Sequence, residues 1–251
     1  MLIISTIFFI LMGVIIGYFL AKFTLQPSES QTAGHRSKIS SRYLIIISAT
    51  AIAFTLCWIL LPTQKALLGM IFVSYLICVA TIDIEQLIIP NSLTFFGFLF
   101  ALLFSILFPI LHNPTNNLTA LRATESILSA LTGSFAGSGC LLWIAIIAEA
   151  IIDKEPLGMG DVKLMGALGT FCGWKGALFA IFGGSLLASL LILPYQFIKR
   201  SCSKDTATFN QHIPFGFWLA LASFLYFIWF QQPFEEHLQG IIDIYSTPKF
   251  L

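Results

Sequence analysis

Eight long apolar runs fix most of what this chain can become. They cover residues 2–23, 43–61, 66–82, 93–111, 124–152, 164–174, 177–198 and 213–231, with polar connections between them. Hydrocarbon cannot satisfy free backbone N–H and C=O groups, so a segment inside it must close its own hydrogen bonds as a helix. Crossing a layer of about 30 Å takes about 20 apolar residues. The run at 164–174 falls short, so it crosses only by starting earlier, near Asp161, or it stays partly submerged. The expected fold is all-α, a polytopic transmembrane helix bundle of about seven or eight spans.

Composition narrows the function classes. Of the 251 residues, 57% are hydrophobic and 10% charged, against roughly 25% charged in soluble domains. No large soluble domain fits, and the lipid bilayer is the expected surrounding. A net charge of +1 with no basic run gives no footing for nucleic acid. Cys57, Cys78, Cys140, Cys172 and Cys202 are scattered, never spaced as Cys-x-x-Cys, and four lie in apolar runs, as packing residues do. His35, His112, His212 and His237 are equally dispersed, so neither a metal site nor a cofactor is expected. The run at 2–23 lacks a basic start and exceeds a signal-peptide core of about 7–15 residues, which reads as a retained first span.

Lysine and arginine orient the bundle, because they accumulate in cytoplasmic loops. One set of loops holds Lys22, Arg36, Lys38, Arg42, Lys154, Lys163, Lys199, Arg200 and Lys204; the other holds Lys65, Arg122, Lys175 and Lys249. Both termini then face outward, and residues 232–251 form a non-cytoplasmic tail. The polar stretch from Thr24 to Arg42 is expected to be a flexible connector. Residues 112–122 read as an outer turn and 201–212 as a cytoplasmic loop. Gly133 with Gly137, and Gly169 with Gly173, fall four apart and read as helix-packing faces; Gly183-Gly184 is a candidate hinge.

Two aspartates stand where hydrophobic runs meet polar sequence. Asp83 lies in Asp83-Ile84-Glu85-Gln86-Leu87-Ile88-Ile89-Pro90-Asn91, and Asp161 follows Gly158-Met159-Gly160. The basic-residue count places both at cytoplasmic helix ends. Taken singly, each is equally well a solvated helix-end residue, and a helix dipole favours Asp161 without any chemistry. Taken together, paired carboxyls can share one proton, one removing a proton from water while the other polarises a carbonyl. Gly158 and Gly160 would allow positive φ and close backbone approach beside Asp161. Glu85 is expected to face solvent and Lys163 to snorkel toward the headgroups. Among the other acids, Asp153, Glu155, Glu235 and Glu236 read as solvated charges, as does Glu149 near the end of its run.

The stretch from Asp83 through Ile89-Pro90-Asn91 to Thr94 resembles the first catalytic motif of type IV prepilin peptidases. Gly158-Met159-Gly160-Asp161-Val162-Lys163-Leu164 is similar to their second, and Ile213-Pro214-Phe215-Gly216 to a motif opening the last helix. The resemblance covers roughly residues 66 to 231. It implies a membrane aspartic endopeptidase of the bacterial cytoplasmic (inner) membrane, with Asp83 and Asp161 catalytic and facing the cytoplasm. Its substrates would be prepilins, or type II secretion pseudopilins, whose leaders it removes. Residues 66–231 would be the peptidase domain and residues 1–65 a reduced N-terminal region. Bifunctional members carry two zinc-binding Cys-x-x-Cys pairs after the first helix; that loop here has no cysteine, so zinc and methyltransferase activity are expected to be absent. Competing readings are a presenilin-like or signal-peptide-peptidase-like protease, whose Tyr-Asp and Pro-Ala-Leu motifs are missing, a proton- or cation-coupled transporter, and a catalytically idle assembly protein.

Overall fold

A computed structural model describes residues 2–25, 33–112, 119–152, 157–202 and 214–231. These residues form helices and no strands: α1 (Leu2–Thr24), α2 (Ala33–Leu60), α3 (Thr63–Gln86), α4 (Asn91–Leu107), α5 (Thr119–Ile152), α6 (Met159–Cys202) and α7 (Phe215–Leu225). A 3-10 turn, Pro109–His112, follows α4, and α7 continues into a π-helical turn, Tyr226–Phe230. Five helices are long and apolar enough to cross a membrane; α4 and the α7 segment are shorter apolar helices. Ile4, Phe8, Phe19, Phe135, Trp143 and Phe182 are all exposed. Such a surface invites aggregation in water and suits hydrocarbon.

Helices α3 to α7 share one core, in which Phe72 stacks on Phe171 with ring centroids 4.6 Å apart. Phe9, Phe54 and Val73 join α1 and α2 to its α3 side. Gly13 and Gly17 seat α1 on the backbone of α2: a Cβ on Gly13 would lie 2.8 Å from Ala51 Cα, and one on Gly17 2.9 Å from Ile47 Cα. This is the close approach that small residues one turn apart permit between membrane helices.

The sixth and seventh apolar runs become the two arms of α6. A Cβ on Gly137 would lie 3.1 Å from Ala177 Cβ and 3.2 Å from the Met165 carbonyl oxygen. On a straight helix residues 165 and 177 would stand about 18 Å apart, so the chain folds back between them. It does so at Gly173, whose φ of 71° and ψ of 177° break the helix in a region that side chains other than glycine's disfavour. The short first arm begins at Met159, earlier than its apolar run, and both arms pack on α5. Gly133 meets the backbone of Gly169 and Gly173, glycines of both four-apart pairs lying in the close contact that such faces permit. Gly183-Gly184, the candidate hinge, is helical in this structure, and Gly184 lets the Trp218 backbone of α7 approach.

A polar latch holds the reversal. His112 Nε2 lies 3.1 Å from the Thr170 carbonyl oxygen and Nδ1 3.0 Å from Ser126 Oγ, which is 2.9 Å from Ser105 Oγ. Because a carbonyl only accepts, Nε2 carries the proton, and neutral Nδ1 accepts from Ser126. Enclosure among apolar side chains, with a smaller contribution from the Lys65 charge, lowers the His112 pKa to about 4.

One expected connector is partly helix. Residues 33–42 are the first turns of α2; no proline interrupts the chain between Pro27 and Pro62, so the helix extends past its apolar run. The rest of that connector, residues 26–32, lies outside the described residues, as do 113–118, the charges at 153–156, the loop at 203–213 and the tail at 232–251.

Candidate active site

The site is assembled at one end of the bundle from the end of α3 and the starts of α4, α6 and α7. Helix α3 buries Asp83, 4% exposed, in its last turn. It then stops at Leu87, whose φ of 53° is the one positive value outside glycine among the described residues. A bulky residue there is strained; the Leu87 N–H donates to the Asp83 carbonyl at 2.9 Å and closes the helix. Ile89 turns inward, and Pro90 takes extended dihedrals before α4. Proline suits this place because first-turn N–H groups have no intrahelical partner. Thr94 is buried and donates to the Asn91 carbonyl at 2.9 Å, fixing the first turn of α4.

Asp161 lies in the first turn of α6, where the helix dipole favours a carboxylate. Its N–H donates to the Gly158 carbonyl at 3.0 Å. Neither Gly158 nor Gly160 has a positive φ, contrary to the sequence expectation, because the helix begins at Met159 and gives Gly160 helical dihedrals. A Cβ on Gly160 would touch Ile89 Cβ at an ordinary 3.4 Å. Gly160 therefore brings the start of α6 against the segment that follows Asp83.

The segments that bear the two carboxyls converge on Ile89: a Cβ on Gly216 would lie 2.9 Å from both Asp83 Oδ2 and Ile89 Cδ1, and one on Gly160, next to Asp161, 3.4 Å from Ile89 Cβ. Around them, Lys163 Nζ donates to Asn91 Oδ1 at 2.8 Å, so this lysine reaches from α6 to the start of α4. Glu85, expected to face solvent, pairs with Arg42 of α2. All the sequence-derived site residues, Asp83, Pro90, Asn91, Gly158, Gly160, Asp161 and Lys163, thus fall in one neighbourhood.

A third contributor carries no diagnostic side chain. The Phe217 N–H, in the first turn of α7, donates to Asp83 Oδ2 at 2.9 Å, and the Gly216 N–H faces the same carboxyl. A Cβ on Gly216 would come within 2.9 Å of Asp83 Oδ2. The sequence signal was the motif Ile213-Pro214-Phe215-Gly216, whose contact with Asp83 depends on main-chain donors. Among the described residues, no group of three or more His, Cys, Asp or Glu comes together as metal ligands do.

The model of the type IV leader peptidase family matches residues 70–193, a span that includes both aspartates. The chain is 31% identical over 194 residues to a prepilin leader peptidase/N-methyltransferase of Pectobacterium carotovorum subsp. carotovorum, covering 74% of this chain and 60% of the relative. It is 28% identical over 237 residues to the protein of that name from Escherichia coli K12, covering 86% and 92%. A type 4 prepilin-like proteins leader peptide-processing enzyme of Escherichia coli O78:H11 is 33% identical, with coverage of 74% and 61%. The chain thus spans about 60% of the length of the first relatives it matches. No solved structure matches.

Proposed function

Since the chain belongs to the type IV leader peptidase family, we propose that it is an aspartic endopeptidase that removes the leaders of prepilins or pseudopilins at the cytoplasmic face of the bacterial inner membrane. The observation that carries the reading is the convergence of the segments bearing Asp83 and Asp161, from distant parts of the chain, on Ile89 at one end of the bundle. Two carboxyls so placed hold one proton between them. The ionised one takes a proton from water as the oxygen attacks the scissile carbonyl, and the neutral one gives its proton to the carbonyl oxygen. Returning a proton to the leaving nitrogen then breaks the C–N bond. Pro90, Asn91, Gly158, Gly160 and Lys163 shape the backbone that carries the pair. The substrate's hydrophobic stem lies along the apolar helices while its leader stays on the cytoplasmic side.

Methyl transfer is not part of the proposed activity, because the connection between α1 and α2 contains no cysteine for the zinc module of bifunctional members. The test is cleavage of a co-expressed prepilin by the wild-type chain, Asp83→Asn and Asp161→Asn, with mass spectrometry of the product's N-terminus. Loss of cleavage in both variants at unchanged membrane levels, with an unmethylated wild-type product, is expected. Cleavage surviving either substitution removes that aspartate from the mechanism, and a methylated product made by the purified chain ends the peptidase-only reading.

A further inference from the structure

The two carboxyls of the site are not equivalent, and the difference lies in the start of α7. Asp83 is almost fully buried, yet its Oδ2 accepts the Phe217 N–H at 2.9 Å and faces the Gly216 N–H as well. These are first-turn N–H groups, which have no partner within their own helix. They also sit at the positive end of the helix dipole. Backbone donors aimed at a carboxyl oxygen favour its ionised form, because a carboxylate only accepts. Among the described residues no backbone N–H donates to the Asp161 carboxyl, so the donors at the start of α7 are what distinguish the two groups.

The approach is close enough to constrain sequence. A Cβ on Gly216 would lie 2.9 Å from Asp83 Oδ2, 3.1 Å from its Cγ and 2.9 Å from Ile89 Cδ1. Pro214 caps the helix with an extended ψ of 94°, so proline and glycine together present the following N–H groups to Asp83. The motif at 213–216, which the dyad itself leaves without a role, acquires one here.

We infer that the N-terminus of α7 is a positioning element of the active site, holding Asp83 as the carboxylate that takes the proton from water and leaving the shared proton on Asp161. The inference rests on the peptidase reading for its chemistry, though the state of the two carboxyls can be read without it. In the hydrolytic step water gives one proton to Asp83 as its oxygen bonds to the scissile carbon, and Asp161 gives its own to the carbonyl oxygen. The N–H groups of Gly216 and Phe217 fix which oxygen of Asp83 faces α7 and which is left for water.

The decisive change deletes the Phe217 N–H while keeping its side chain, at the cost of a weaker acceptor at the Gly216 carbonyl: an amide-to-ester replacement at Phe217, made by incorporating phenyllactic acid in the full-length chain in lipid nanodiscs. Infrared difference spectra at neutral pH, wild type against Asp83→Asn and against Asp161→Asn, assign the two groups. The expected result is a carboxylate band for Asp83 that the ester shifts, and a protonated carbonyl band for Asp161. A protonated band for Asp83, or a carboxylate band that the ester leaves in place, overturns the inference whether or not the protein cleaves prepilin. Bands as expected in a chain that cleaves no prepilin would support the inference and remove the peptidase reading alone.

Where cleavage is measured, the ester at Phe217 is expected to lower kcat on the order of tenfold to a hundredfold with KM unchanged. Phe217→Pro, which removes the same N–H at a helix position that tolerates proline, is expected to behave alike. An ester at Leu221 removes an intrahelical bond of α7 away from Asp83 and is expected to leave kcat as it was. Equal losses for the esters at 217 and 221 would make the effect structural and sink the proposal.

Discussion

Lys163 Nζ donates a hydrogen bond to Asn91 Oδ1 across 2.8 Å, tying the first turn of the helix that carries Asp161 to the first residue of the helix that follows Asp83. The two residues are 72 positions apart, and each stands in a different motif. The bridge joins the parts of the chain whose relative placement sets the distance between the carboxyls. Lys163→Met and Asn91→Leu are each expected to cost about 1 kcal/mol of stability, a usual value for one partly solvated hydrogen bond. Each is expected to lower kcat/KM for prepilin cleavage about threefold to tenfold, since small displacements at a reacting site are costly. The double variant should be no worse than either single one; multiplicative losses would show that the two residues act separately.

The ion pair between Arg42 and Glu85 is a different kind of contact. Its side chains are 48% and 27% exposed, and solvated pairs of this sort contribute about 0–1 kcal/mol. Arg42→Ala is therefore expected to change stability by less than about 1 kcal/mol, and raising salt to about 0.5 M should remove most of even that difference. Thermal unfolding in detergent at low and high salt measures it. A larger loss that survives salt would mean that Arg42 packs as well as pairs.

His112 makes stability depend on pH on the acid side. Its pKa in the folded protein is lowered to about 4, first by enclosure, whereas an unfolded histidine titrates near 6.5. Above about 6.5 both states are neutral and the contribution is complete. As the pH falls from about 6.5 toward 4 the unfolded chain takes up a proton that the folded protein refuses, so stability declines. His112→Gln is expected to flatten the melting temperature across this interval. His112→Ala is expected to lower stability by about 1–3 kcal/mol at neutral pH, because the buried partners of the imidazole lose a hydrogen bond. An unchanged acid slope in His112→Gln would assign it to other groups.

Two glycines of α6 give opposite expectations. At Gly173, φ is 71° and a Cβ would lie 2.8 Å from Ser129 Oγ, so Gly173→Ala is expected to destabilise by about 1–2 kcal/mol or more. At Gly166 a Cβ would meet Ser134 Oγ at an ordinary 3.4 Å, and Gly166→Ala is expected to be neutral or stabilising by up to about 1 kcal/mol. Thermal stability of the two variants in the same detergent tests the pair. Equal effects would mean that the reversal does not depend on the backbone freedom of residue 173.

What could be read from the sequence follows from what side chains advertise. Asp83 and Asp161 stood out because carboxyls beside apolar runs need a reason, and the all-α bundle followed from the backbone's need for internal hydrogen bonds. Gly133 with Gly137, and Gly169 with Gly173, announced packing faces by their spacing of four. The Arg42 and Glu85 pair was not legible, since 43 residues separate the partners and either alone looks solvated. His112 looked idle for the same reason: it meets Ser126 of α5 and Thr170 of α6 only in the folded bundle. The N–H groups of Gly216 and Phe217 are the least legible of all, because every residue except proline has one and its target is decided by the fold.

The folded-back form of α6 also sets a depth. Its first arm, from Met159 to Cys172, is about 21 Å long at 1.5 Å per residue, while the hydrocarbon layer is about 30 Å thick. A segment that short is accommodated by thinning the bilayer around it or by letting its end sink below the headgroups. In either case the depth of Asp161 is set by the number of residues between it and Gly173. The arm is then a ruler, and adding a helical turn to it would move Asp161 by about 5.4 Å relative to Gly173.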